Sequence, residues 1–250
     1  GCANTGQIAD VIYHEYGHGV SQFVMAPLGP SGSQGEGFSD YIAATITDQP
    51  LIGRGFFGPG SSLRSCDNTR QWPAPECGGE VHCEGEVIAG ALWHMRQNMV
   101  THFGQGRGVS HADSLFQYAR YGRNQTFEGY YLDVLAVDDD NGTLVDGTPN
   151  ARQIIMAFHD RHNIGPGWNL DILHTPLHDT EDTINPYPVP ALFSSPADLW
   201  ADSLGVYYST QPVGGGPISG PHRLAMAPTG ILREYQSLIP AQPMGTKVYY

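Results

Sequence analysis

Two histidines four residues apart, with a glutamate directly after the first, constrain this chain more than any other stretch: His14-Glu15-Tyr16-Gly17-His18. On a helix, positions four apart share a face, so both imidazoles can grip one ion. Ile8, Val11, Ile12, Tyr16, Val20, Phe23 and Val24 recur around them at helical spacing, and Thr5 is placed to cap the start. Neutral imidazoles at that separation suit zinc, and Glu15, one residue round the helix, is placed to take a proton from a water that the zinc activates. Gly17 and Gly19 lie inside the same predicted helix, where each costs about 1 kcal/mol relative to alanine. Their presence predicts close approach of another element or a ligand.

A third ligand is expected from the next segment, Gly35-Glu36-Gly37-Phe38-Ser39-Asp40-Tyr41, which reads as a second helix beginning near Ser33 and running to Thr47. Glu36 and Asp40 are again four apart and share a face. One carboxylate that ligates, and a second that hydrogen-bonds the far nitrogen of a ligating histidine, are what a zinc site requires.

Charge and composition exclude other classes. The net charge is -13 with only 12 Lys and Arg, which do not cluster, so no phosphate-binding face for nucleic acid is expected. No apolar run approaches the ~20 residues of a membrane span, and no signal peptide opens the chain. Scattered glycine and proline, 32 and 19 residues, suit a loop-rich secreted protein. Cys2, Cys66, Cys77 and Cys83 allow three fully paired connectivities and form no Cys-x-x-Cys pair. Disulfides around the segment ending in His82 are expected, which implies an oxidising compartment; Cys2 has the alternative of a partner upstream.

HEYGH followed by GEGFSD resembles the gluzincin metallopeptidases, the thermolysin-like and fungalysin group. The resemblance implies Glu36 as third zinc ligand and Asp40 as support for a ligand histidine. Ser62-Leu63-Arg64-Ser65 is similar to the segment whose arginine holds a substrate carbonyl, which implies that role for Arg64. Gly79-Glu80-Val81-His82, followed by Gly85-Glu86-Val87-Ile88, is similar to the segment carrying the oxyanion-stabilising histidine, here His82. The likeness extends over about residues 1–165 and departs from the family in three places. A β-rich half precedes the zinc helix in the family, whereas 13 residues precede His14, which implies that this chain belongs to a longer precursor. The family tyrosine between the second histidine and the glutamate is missing from Gly19 to Gly35. Cys77 stands five residues before His82, where an acid is expected, and leaves Glu76 or Glu80 to orient that imidazole.

Further along, Gly53 to Pro75 reads as a loop lining a cleft, and His82 stands just ahead of a helix from Glu84 to Val100. His94 and His102 read as ordinary polar-face residues. Ser110-x-x-Asp113 resembles a capping box opening a helix to Tyr121, and Thr126 to Val137 reads as another. The acidic stretch Asp138 to Gly147 lacks EF-hand spacing, but its clustered carboxylates suggest calcium, with Asp138, Asp140 and Asp146 as ligands that would fix the start of the following helix. Thr148 as cap and Pro149 as first helical residue then open a helix over Asn150 to His162.

Residues 166–190 are rich in Pro, Asp and Thr and read as a linker; residues 191–250 alternate in short runs that resemble part of an immunoglobulin-like or fibronectin-like sandwich. The expected architecture is therefore a mainly α zincin catalytic domain over 1–165, followed by a partial β-sandwich module. The expected function is a secreted zinc endopeptidase acting on protein or peptide. A non-catalytic binding or structural module on a zincin scaffold is the alternative.

Overall fold

The computed structural model describes residues 2–144, 147–167, 171–195, 199 and 201–250. It is a mixed α and β structure in two compact units, one of Gly1–Leu144 with Thr148–Trp168 and one chiefly of Asn169–Tyr250. The first unit is helical: α1 Ala9–Val24, α2 Gly32–Thr47, α3 Val81–Phe103, α4 Gln105–Ala119, α5 Phe127–Asp138 and α6 Ala151–Ile155, the last continued by a π-helical turn over Met156–Arg161. Two short paired strands, β1 Leu51–Ile52 and β2 Arg64–Ser65, follow α2.

Glycine sets how closely the helices meet. A Cβ on Gly17 of α1 would lie 2.7 Å from the Cα of Ser39 in α2, and one on Gly37 would lie 2.5 Å from the carbonyl oxygen of Gly85 in α3. No real Cβ tolerates such contacts, so α1, α2 and α3 cross backbone to backbone only because these positions have no side chain. Gly17 thus bears out the expected close approach. Gly19 does not, because a Cβ there would meet nothing within 4 Å.

Several boundaries differ from those expected. Thr5 begins a separate 3-10 turn, Thr5–Gln7, capped by the side chain of Asn4, and α1 starts after Ile8 without a side-chain cap. The face α1 buries is also different: Asp10, His14, Gly17, Ser21 and Val24 point inward, while Ile12, Tyr16 and Phe23 are exposed, Phe23 at 83%. Small and polar residues win that face because its neighbour is a glycine-lined crossing and a polar site rather than an apolar core. Helix α3 begins at Val81, so His82 lies in its first turn rather than ahead of it. Helix α4 begins five residues before Ser110, and Asp113 accepts from Tyr41 Oη and Thr45 Oγ1 of α2 instead of closing a capping box.

The core behind the site is aromatic: Phe38 packs on Tyr130 and Phe116, with ring centroids 4.6 and 5.6 Å apart. It anchors α2 through the residue two places after Glu36.

The second unit carries two sheets. One has the order β3-β4-β8-β7, from Asp171–Leu173, Tyr187–Ser194, Glu234–Ile239 and Ala227–Pro228; the other has the order β6-β5-β9, from Ser219–Ala225, Gly205–Gln211 and Lys247–Tyr249. Every pairing is antiparallel. Part of the expected linker therefore belongs to a sheet, since Ile172 pairs with Phe193 and Tyr187 with Ile239. Val189, Ala191 and Phe193 alternate inward along β4, the period-two pattern of a strand with one covered face.

Candidate metal centre

The three sequence-predicted ligands converge. His14 Nε2 lies 3.0 Å from His18 Nε2 and 3.2 Å from Glu36 Oε2, and His18 Nε2 lies 3.6 Å from Glu36 Oε1. Among the described residues, His14, His18 and Glu36 form the one group of three or more such side chains whose ligand atoms gather closely enough for a shared metal. Zinc at roughly 2.0–2.2 Å from tetrahedral ligands separates them by roughly 3.3–3.6 Å, close to the spacings found. The spacing follows from the fold. The histidines are one helical turn apart on α1, and the Gly17–Ser39 crossing brings α2 near enough for Glu36 to reach both.

Hydrogen-bond direction fixes what lies at the centre. His14 Nδ1 donates to Asp40 Oδ1 at 2.6 Å, which turns the Nε2 lone pair of a neutral ring toward His18 and Glu36. Glu36 Oε2 is buried without a well-aligned hydrogen bond, with His14 Nε2 and His82 Nε2 each 3.2 Å away. Three acceptors facing one point repel unless a cation or a proton sits between them, so the donor set fits a metal ion.

In the metal-free protein a proton does this. Burial works against charge on His14, but its bonds to Asp40 and Glu36 outweigh burial and raise its pKa to about 9. Burial likewise opposes charge on Glu36, and the close imidazoles of His14 and His18 hold its carboxyl well below the usual range.

Asp40 is 1% exposed and accepts from the far ring nitrogen of His14. Arg64 holds it in turn: Nε donates to Oδ2 at 2.5 Å and Nη2 to Oδ1 at 2.8 Å. The expected substrate-holding arginine is thus first the clamp of an Arg64–Asp40–His14 chain, with no acceptor for Nη1 among the described residues. Strand β2 places it there.

Glu15, the residue after His14 on α1, is exposed, and its carboxylate meets no donor among the described residues. His82 reaches the same centre, its Nε2 3.2 Å from Glu36 Oε2. Its ring is oriented by Glu80, whose Oε1 accepts from Nδ1 at 2.6 Å, whereas Glu76 pairs with Arg70. The His82 bond and two backbone N–H groups bring the Glu80 pKa down to about 2.

Other expectations resolve differently. His94 is not a polar-face residue: it is 3% exposed, with Nε2 2.9 Å from Asp67 Oδ1 and Nδ1 2.9 Å from His162 Nε2. Burial lowers the pKa of His162 to about 4, and its Nδ1 donates to the Arg70 carbonyl. These partners lie 27 and 68 residues from His94, beyond the reach of local pattern.

Of the expected calcium ligands, Asp138 is buried and accepts from Thr148 Oγ1, Asn150 N and Asn150 Nδ2, which fixes the start of α6 directly. Asp140 is exposed, and Asp146 lies outside the described residues. One disulfide joins Cys77 to Cys83, while Cys2 is an exposed and Cys66 a buried free thiol.

Compared with known proteins, the chain matches no family model and no curated protein. The functional reading therefore rests on the residues themselves.

Proposed function

We propose that this chain carries the zinc centre of a secreted gluzincin-type endopeptidase that hydrolyses peptide bonds with an activated water. The observation that carries the reading is the convergence of His14 Nε2, His18 Nε2 and a buried Glu36 oxygen, backed by Asp40, with Glu15 next to His14 in the chain. Bound zinc would polarise the scissile carbonyl and acidify the attacking water. Glu15, exposed and meeting no donor among the described residues, takes the water proton and delivers it to the leaving nitrogen. His82, its Nδ1 gripped by Glu80, presents Nε2 to the oxyanion that forms on the carbonyl. Arg64 keeps Asp40, and through it His14, in place and offers Nη1 to a substrate carbonyl. The Cys77–Cys83 disulfide is compatible with an oxidising, extracellular setting. No helix among the described residues is long and apolar enough to cross a membrane.

Hydrolysis of an unfolded protein substrate by the zinc-loaded protein, assayed together with any adjoining parts of its natural chain, tests the proposal. Glu15→Gln should keep zinc and lose hydrolysis. Zinc binding without hydrolysis in the unsubstituted protein would favour a non-catalytic binding module instead.

A further inference from the structure

The Cys77–Cys83 disulfide closes a ring over residues 77–83 that contains both Glu80 and His82. Inside it the backbone turns through Gly78 and Gly79, at φ 61° and 85°. Consecutive left-handed glycines form a loose tether when its ends are free. Closing the ring removes that freedom and fixes where Glu80 begins α3.

The Glu80 carboxylate then does two jobs at once. It caps α3, with Oε1 accepting from His82 N at 3.1 Å and Oε2 from Cys83 N at 2.8 Å, and Oε1 also takes His82 Nδ1 at 2.6 Å. A carboxylate locked to the helix start thereby aims the imidazole, whose Nε2 stands 3.2 Å from Glu36 Oε2. Packing does not do this: the side chains of Glu80 and His82 are 56% and 49% exposed. What holds them is the ring and the cap. The metal ligands are held otherwise, on α1 and α2, and Asp40 and Arg64 lie outside the ring as well.

We propose that the Cys77–Cys83 ring and Glu80 form one positioning device for His82, so that opening the disulfide slows turnover while leaving metal binding intact. The consequence for turnover rests on the peptidase reading; the aiming of His82 does not. A small dithiol would supply two electrons and two protons, leaving two thiols on the protein and becoming a disulfide itself. Both cysteines are partly exposed, and theirs is the one disulfide among the described residues.

Cys77→Ser/Cys83→Ser reproduces the opened ring without a dithiol that would compete for zinc, and Glu80→Ala removes the clamp with the ring closed. Nitrogen-15 NMR of the His82 ring in the metal-free protein should show the hydrogen-bonded Nδ1–H in the unsubstituted chain, its loss in both variants and its recovery in Glu80→Asp. In zinc-loaded protein, kcat should fall roughly tenfold or more in both variants, with KM and zinc affinity changed less than about threefold. An unaltered His82 Nδ1–H signal in Cys77→Ser/Cys83→Ser overturns the proposal, as does an unaltered kcat. If the unsubstituted protein hydrolyses nothing, the peptidase reading fails and the NMR comparison alone decides the positioning device.

Discussion

Replacing Gly37 by alanine adds one methyl where α2 touches α3. It would lie 2.3 Å from Ile88 Cγ2, 2.5 Å from Gly85 O and 3.2 Å from Ala89 N. The Ile88 methyl can turn away with its side chain, but Gly85 O is backbone, and ordinary contact needs roughly 3.5 Å. The helices must therefore part by about 1 Å at this crossing. Because one of these contacts is with backbone, the overpacking falls in the upper part of its usual range, about 2–3 kcal/mol, against about 1 kcal/mol regained from alanine's better helix propensity. The net loss of about 1–2 kcal/mol lowers the thermal midpoint of a unit this size by roughly 2–8 °C. Because Glu36 is the preceding residue, the same displacement draws a ligand oxygen from the histidines and weakens zinc binding by about tenfold or more. Gly19→Ala is the internal control, since its Cβ meets nothing within 4 Å. It should raise the midpoint by roughly 2–4 °C. Calorimetry of the metal-free variants and zinc titration against a chromophoric chelator give both numbers. Gly37→Ala as stable as the unsubstituted chain, or two shifts of the same sign, would refute this account of the helix crossings.

Asp40→Asn should lower zinc affinity by about 10–100-fold, because the amide cannot both orient His14 and hold Arg64; unchanged affinity in the same titration sinks the chain of support. His14, with its metal-free pKa raised from 6.5 to about 9, contributes stability that is complete below pH 6.5 and lost as pH rises toward 9. Zinc must displace that proton, so calorimetric titrations near pH 7.5 in buffers of different ionisation enthalpy should report about one proton released per zinc, and none released would contradict the assignment. His162 behaves oppositely. With its pKa lowered from 6.5 to about 4, its contribution is present above pH 6.5 and drains as pH falls toward 4, up to about 3 kcal/mol. An NMR titration that finds His162 protonated already at pH 6 would show the burial argument to be wrong.

The ligands were legible because the spacing that makes them ligands is local: His14 and His18 on one turn, Glu36 and Asp40 on another. Gly17 signalled a close crossing for the same reason, as a glycine that helix propensity alone would not choose. What the chain hid was set by contacts distant in sequence. The apolar residues Ile12, Tyr16 and Phe23 predicted the wrong buried face of α1, because that face was decided by Ser39 and the metal centre rather than by hydrophobicity. Gly106 and Gly108 masked the start of α4, yet a Cβ on Gly108 would lie 2.4 Å from Val100 Cα, so its glycine serves packing and not a loop. Arg64 read as a substrate contact until strand β2 set it against Asp40. The burial of His94 needed Asp67 and His162, and no short window contains all three.

Diffraction from zinc-soaked crystals, with anomalous data on both sides of the zinc edge, tests the central claim most directly. The account predicts one strong peak within roughly 2.0–2.2 Å of His14 Nε2, His18 Nε2 and a Glu36 oxygen. A peak elsewhere, or none at these residues at saturating zinc, would contradict it.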